Sequence, residues 1–157
     1  SHQKVDWNCI HQRICHLLVP PLPCFHSEKA RKDGTEQLLR RQESIVEVAL
    51  HRAQEFLREG QPLGALPAAL QALRLRARLS GWSCQQLVPI YLLLAQASTA
   101  LNNLPQASKY LSEAEWIVLQ IPDCGAALQS QLHRGLGLFH VARGDLGQAL
   151  YHLANDV

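Results

Sequence analysis

A spacing of 42 residues recurs through the chain and constrains its fold more than any other feature. Gly60, Asn102 and Gly144 lie 42 residues apart. Glycine and asparagine accept the left-handed backbone conformation that closes a helix end, which costs other residues more. A fixed internal period is typical of a solenoid, in which each unit buries its apolar face against its neighbours. The spacing therefore predicts three similar units, each with a hinge.

Small residues recur with the same period on both sides of these hinges. They follow each hinge by five residues and precede it by seven, at Ala65, Ala107 and Ala149 and at Ala53, Ala95 and Gly137. Two antiparallel helices can approach closely across small residues, whereas larger side chains would overpack the contact. We therefore predict an all-α chain of three helix pairs, at 36–59 with 63–80, 84–101 with 104–120, and 124–143 with 146 onward.

The residues around the middle hinge resemble the tetratricopeptide repeat. Its order of aromatic, leucine, small residue, alanine and large apolar residue is reproduced by Tyr91, Leu94 and Ala95, followed by Ala107, Leu111 and Ala114. The period is longer than the usual ~34 residues and is similar to the long-helix variant of kinesin light chain. The resemblance implies a right-handed superhelical solenoid over 36–157, in units 36–80, 81–122 and an incomplete 123–157.

Residues 1–18 resemble the closing half of a MYND zinc finger. His2, Gln3, Trp7, His11 and Cys15 follow in the order of that family, with His2 where a cysteine is usual. The resemblance implies that His11 and Cys15 bind one zinc ion and that His2 binds another. A structural zinc ion needs about four ligands, and the family's other cysteines would precede this stretch. We expect zinc in the complete finger and none in this fragment.

The residues alone leave a plainer alternative for this stretch. On a helix, His11 and Cys15 lie on one face because they are four residues apart. Trp7, Ile10 and Ile14 form an apolar stripe that any short packed helix would show. Residues 19–35 follow as a proline-rich and then charged segment, which predicts a linker between the finger and the repeats.

Composition narrows the classes of function. The longest apolar run, Val88 to Ala95, is too short to cross a bilayer. Five irregularly spaced cysteines favour a reducing compartment over a disulfide framework. The net charge of +2 does not favour nucleic-acid binding.

Cys24 and His26 could form a nucleophile pair, but no third orienting group is recognisable. We therefore predict no catalytic residues and a chain that is not an enzyme.

The repeat register also predicts a binding groove. In tetratricopeptide solenoids the first helix of each pair lines a concave face, which here would carry Glu47, Leu50, Gln54, Arg58, Leu92, Gln96, Thr99, Arg134, Leu138 and Val141. This mixture suits a bound peptide or helix, and the two arginines could clamp carboxylates.

A basic patch of Arg74, Arg76 and Arg78 is either a solvated surface or a contact for an acidic partner. His133 and His140 favour packing against a neighbouring helix over metal binding.

The combination of a MYND finger, a linker and long-period repeats resembles a group of proteins of motile cilia and sperm flagella. The resemblance implies a non-catalytic scaffold of the axoneme, within the cytoplasm and cytoskeleton. Its partners would be inner-arm dynein subunits, axonemal doublet components and a second tetratricopeptide protein, with no membrane or nucleic acid. One alternative is a cytosolic peptide-binding adaptor or co-chaperone. Another is a MYND-containing methyltransferase, whose catalytic domain would need strands that the sequence does not predict.

Overall fold

The computed structural model describes residues 2–19, 28–122 and 124–156, and these ranges contain helices, turns and no strand. The helices are α1 (His2–Asp6), α2 (Gln12–Leu18), α3 (Glu28–Arg58), α4 (Pro62–Ser80), α5 (Val88–Ala100), α6 (Leu104–Leu119), α7 (Ala126–Arg143) and α8 (Leu146–Ala154). A π-helical segment, Trp7–His11, joins α1 to α2, and a 3₁₀ turn, Gln85–Leu87, precedes α5. Within the described ranges, none of the helices is both long and apolar enough to span a bilayer.

Three helix hairpins follow one another along the chain, as predicted. Helix α3 packs on α4, α5 on α6 and α7 on α8, while α4 also contacts α5, and both α5 and α6 contact α7. Pro89 lies in the first turn of α5 and Pro105 in that of α6, where a missing backbone N–H costs no helix hydrogen bond. The fold is therefore an all-α arrangement with a repeat-like order of hairpins.

The three hinges share one geometry. Gly60, Asn102 and Gly144 have φ values of 70°, 57° and 82°. The residue after each hinge donates its N–H to the carbonyl five residues earlier, at N···O distances of 2.8, 2.8 and 2.9 Å. The hinge residue itself bonds to the carbonyl three residues earlier. This is the Schellman pattern of a helix end, so the period seen in the sequence is a period in backbone conformation.

The small residues around the hinges lie at the helix contacts. Ala65, Ala107 and Ala149 are all buried. A Cβ atom added to Gly137 would lie 2.7 Å from Cδ2 of Leu153, so α7 and α8 pack as closely as a glycine permits. These positions confirm the prediction that small side chains set the approach of paired helices.

Helix α3 begins at Glu28, eight residues before the expected start near residue 36. The charged run predicted as part of a linker is helical from that point on. Glu28 and Lys32 form an ion pair one helical turn apart at 3.8 Å, and Glu36 pairs with Arg40 in the same way. Such pairs stabilise a helix, and the pair of Glu28 and Lys32 lies within the eight added residues. Residues 20–27 of the predicted linker, including Cys24 and His26, lie outside the described ranges.

The N-terminal helices pack on the first hairpin and share its core. Ile10 and Ile14 are each 1% exposed and belong to the same buried cluster as Ile45 of α3. Trp7, the third member of the predicted stripe, is instead half exposed and stacks on the ring of His11 at 4.9 Å between centroids. Arg41 of α3 donates to the carbonyls of His16 and Val19, closing the end of α2.

Candidate functional site

The structure brings together three of the predicted groove residues between α3 and α5. Gln54, Arg58 and Gln96 line an open depression of about 410 Å³, together with Leu57 and Leu93. Arg58 is exposed, and no acidic side chain in the described ranges forms an ion pair with it. This depression, which we call the α3–α5 groove, combines two leucines, two amides and a cation.

Two predicted groove leucines have a packing role instead. Leu50 and Leu92 are half-buried against the hydrophobic core. Cδ2 of Leu92 would lie 3.1 Å from a Cβ atom added at Gly135, so Leu92 fills the space between α5 and α7. The absence of a side chain at Gly135 permits this close approach, which the repeat register did not predict.

Arg134, a predicted carboxylate clamp, binds a carboxylate of its own chain, and its contact with a partner stays a prediction. Its Nε lies 2.7 Å from Oδ2 of Asp156, and its Nη2 lies 3.1 Å from Oδ1. The Ser130 hydroxyl donates to the same carboxylate. Hydrogen bonds from Arg134 and then Ser130 lower the pKa of Asp156, with burial acting in the opposite direction. These contacts connect α7 to the residues that follow α8.

Of the remaining predicted groove residues, some are exposed and others already contact groups of this chain. Leu138 and Val141 on α7 are 49% and 48% exposed and remain available for contact. The hydroxyl of Thr99 donates to the carbonyl of Ala95 within its own helix, at 2.9 Å. Glu47 lines a separate depression of about 360 Å³ beside Arg13 of α2. Glu47 therefore lies beside the N-terminal helices.

The sequence analysis did not predict a half-buried cation on α3. The guanidinium carbon of Arg52 lies 3.9 Å from the ring centroid of Phe56, an arrangement that favours a cation–π contact. Its Nη1 donates to Oε2 of Glu55 at 2.9 Å, and this bond is the main cause of the lowered pKa of Glu55. The spacing of Arg52, Glu55 and Phe56 at i, i+3 and i+4 could have predicted these contacts, because residues three and four apart are neighbours on a helix.

The predicted basic patch lies on α4 beside the N-terminal helices. Arg74 and Arg78 are exposed and Arg76 is half-buried. Arg74 lines a depression of about 330 Å³ together with Asp6 of α1, so an acidic side chain of this chain already lies near the patch. Whether the patch also contacts a partner stays a prediction.

An aromatic depression on α5 and α6 was also missed. Trp82, Tyr91 and Tyr110 line a hollow of about 510 Å³ with Lys109 and Glu113. The two tyrosine rings lie 6.3 Å apart between centroids. Burial and the Glu113 carboxylate raise the pKa of Tyr91. In the sequence, Trp82 in the loop that follows Gly81 is the residue that could have indicated this depression.

The predicted zinc ligands do not make a closed site in the described part of the chain. His11 and Cys15 are half-buried on the π-helical segment and α2, and the side chain of His2 lies outside the described residues. Nowhere in the described ranges do three or more His, Cys, Asp or Glu side chains form a group that could hold a metal ion. A structural zinc ion needs about four ligands. His11 and Cys15 supply two, so the described residues do not form a structural zinc site.

No protein-family model matches the sequence.

Proposed function

We propose that this chain is a non-catalytic scaffold module that binds other proteins along the face of α3, α5 and α7. In this proposal the hairpins are tetratricopeptide-like and continue as a right-handed superhelical solenoid. The observation that carries it is the α3–α5 groove, where residues 42 apart in the sequence, Gln54 and Gln96, line one open depression. A groove whose equivalent positions come from successive repeats is typical of solenoid binding surfaces.

The side chains of the groove suit a peptide or an amphipathic helix. Leu57 and Leu93 supply apolar contact, and the amides of Gln54 and Gln96 can donate to and accept from a peptide backbone. Arg58 would pair with an acidic side chain of the ligand. Leu138 and Val141, exposed on α7, would extend the apolar contact. An acidic segment with apolar anchors is therefore the proposed ligand class.

The proposed cellular setting comes from the resemblance to MYND and tetratricopeptide proteins of motile cilia. We place the module on the axoneme of cilia or sperm flagella, near inner dynein arms. A second tetratricopeptide protein, inner-arm dynein subunits and axonemal doublet components are the proposed partners. Zinc would belong to the complete finger, where further ligands could join His11 and Cys15.

A cytosolic adaptor or co-chaperone is the alternative function. A groove that holds a C-terminal carboxylate needs several basic side chains in adjacent units. Arg134 is occupied by Asp156, and α5 contributes Gln96 rather than a cation to the α3–α5 groove. These two observations favour the scaffold over a carboxylate clamp.

The double variant Arg58→Glu with Leu138→Glu tests this proposal. Both side chains are exposed, so the helical circular dichroism and the melting temperature should stay nearly unchanged. Loss of a binding anchor typically costs about 2 kcal/mol or more, which is roughly 30-fold in affinity. Capture of axonemal partners from a flagellar extract, quantified by cross-linking mass spectrometry, should fall by at least about that factor.

Leu119→Glu is the matched control, since Leu119 is 76% exposed and lies at the end of α6. It should leave capture unchanged. Recovery of the same neighbours at the same yield by the double variant would move the binding surface elsewhere. The aromatic depression around Trp82 would then be the next surface to test.

A further inference from the structure

Three histidines join α7 to α8. Nδ1 of His133 lies 3.1 Å from Nδ1 of His152, so one imidazole donates a hydrogen bond to the other. The rings of His140 and His152 stack with centroids 5.5 Å apart and planes 7° apart. His152 of α8 thus contacts two imidazoles of α7 at once. We call these three residues the histidine cluster.

Other titratable and charged groups face the histidine cluster from each neighbouring element. Asp145, at the hinge, has Oδ2 3.9 Å from Nδ1 of His140, a nitrogen that is buried without a hydrogen-bond partner among the described residues. Tyr151 of α8 meets the ring of His152 edge-on. Arg143 pairs with Asp145, the charge of Glu115 on α6 acts on His152, and Asp156, which bonds to Arg134, interacts with His133.

The buried apolar contact of α8 is small. Ala149 is its one buried residue, whereas Leu146 and Leu150 are 66% and 70% exposed. The other contacts include Leu153 against Gly137, and the bonds of Ser130 and Arg134 to Asp156. A change of charge within the histidine cluster therefore acts on a helix with a small apolar anchor.

We propose that the histidine cluster is a pH-sensitive latch, which holds α8 on α7 while its imidazoles are neutral and releases α8 at mildly acidic pH. The hydrogen bond between His133 and His152 needs one Nδ1 as acceptor. Once His152 is protonated, its Nδ1 is a donor that can no longer accept from His133, and its charge lies against the rings of His133 and His140.

The direction of the pH effect follows from the environment of His152. Burial, followed by the neighbouring His133 and His140, lowers the pKa of His152, while Glu115 acts in the opposite direction. A histidine whose pKa is lowered on folding contributes stability above its ordinary pKa of about 6.5, and this is lost as pH falls toward its folded value. The pKa of Asp156 is also lowered, so its bond to Arg134 persists through this window.

Amide hydrogen exchange of the whole chain, corrected for intrinsic rates, tests the latch. Between pH 7.5 and pH 5.5 the protection of α8 should fall by up to about tenfold, the limit for one histidine whose pKa is about 6.5 when α8 is released. Protection of α5, whose buried residues include no histidine, should stay constant. Equal protection of α8 at both pH values would overturn the proposal.

His152→Gln should remove the pH dependence of α8 protection, because glutamine does not titrate in this range. His51→Gln is the matched control: His51 is exposed on α3, and its loss should leave the pH dependence intact. If His152→Gln opens α8 at both pH values, an NMR titration of the histidines in the unmodified chain tests the latch instead. A His152 midpoint below about 6.5 supports the latch, and a midpoint at or above that value contradicts it.

Discussion

The middle hairpin and the last hairpin have the same hinge but very different packing. Asn102 and Gly144 both adopt the left-handed conformation, with matching hydrogen bonds on either side. Yet α6 buries four residues, Ala107, Leu111, Ala114 and Ile117, whereas α8 buries only Ala149. The hinge is thus specified locally, while burial depends on what lies beside each hairpin.

Position in the stack explains the contrast. Helices α5 and α6 lie between the first and third hairpins, since α4 packs on α5 and both α5 and α6 contact α7. Helix α8 packs on α7 alone among the described elements. Polar contacts replace apolar burial there: the histidine cluster and the pair formed by Arg134 and Asp156. Within the described part of the chain, the last hairpin therefore has fewer helix contacts than the middle one.

Ala107→Leu should give the largest effect, because it places a larger side chain at a fully buried position of the middle hairpin. Ala107 is fully buried where α5 crosses α6, and extra methylenes in a packed core typically cost about 1–3 kcal/mol. Chemical denaturation should show this loss of stability. Gln120→Leu, at an exposed position after α6, is the control. Equal shifts in both variants would mean that the alanine position does not set the helix contact.

Gly144→Ala should destabilise the last hairpin by about 1–2 kcal/mol, the cost of a left-handed conformation for a residue with a Cβ. A Cβ atom at Gly144 meets nothing within 4 Å, so the effect isolates backbone strain from packing. The loss should appear in thermal melts and as faster amide exchange confined to α7 and α8. An unchanged melting temperature would show that the hinge geometry is not required there.

Gly147→Ala should give the smallest effect, and with the opposite sign. Gly147 lies in the first turn of α8, where an added Cβ finds its nearest atom 3.9 Å away, at Oδ1 of Asp145. Glycine within a helix is less favourable than alanine by roughly 0.5–1 kcal/mol. The variant should therefore slow amide exchange in α8 by a few-fold. Faster exchange would indicate that α8 is not the helix described.

The sequence predicted the features that depend on local conformation and missed those that depend on distant partners. Hinge residues and alanine positions follow from φ angles and side-chain size, which are properties of single residues. The role of Arg134 could not be predicted because Asp156 lies 22 residues away. The packing role of Leu92 depends on Gly135 in the next hairpin. The early start of α3 was visible in its charge spacing, but a linker fitted the same residues.

Amide hydrogen exchange along the whole chain at pH 7.5 tests the central claim most directly, namely that equivalent hinges join hairpins of unequal stability. The account predicts that Asn103 and Asp145, whose N–H groups are both bonded across their hinges, are protected relative to unstructured peptide. It further predicts the strongest protection in α5 and α6 and the weakest in α8. Uniform protection across all three hairpins, or α8 as the slowest-exchanging helix, would contradict it.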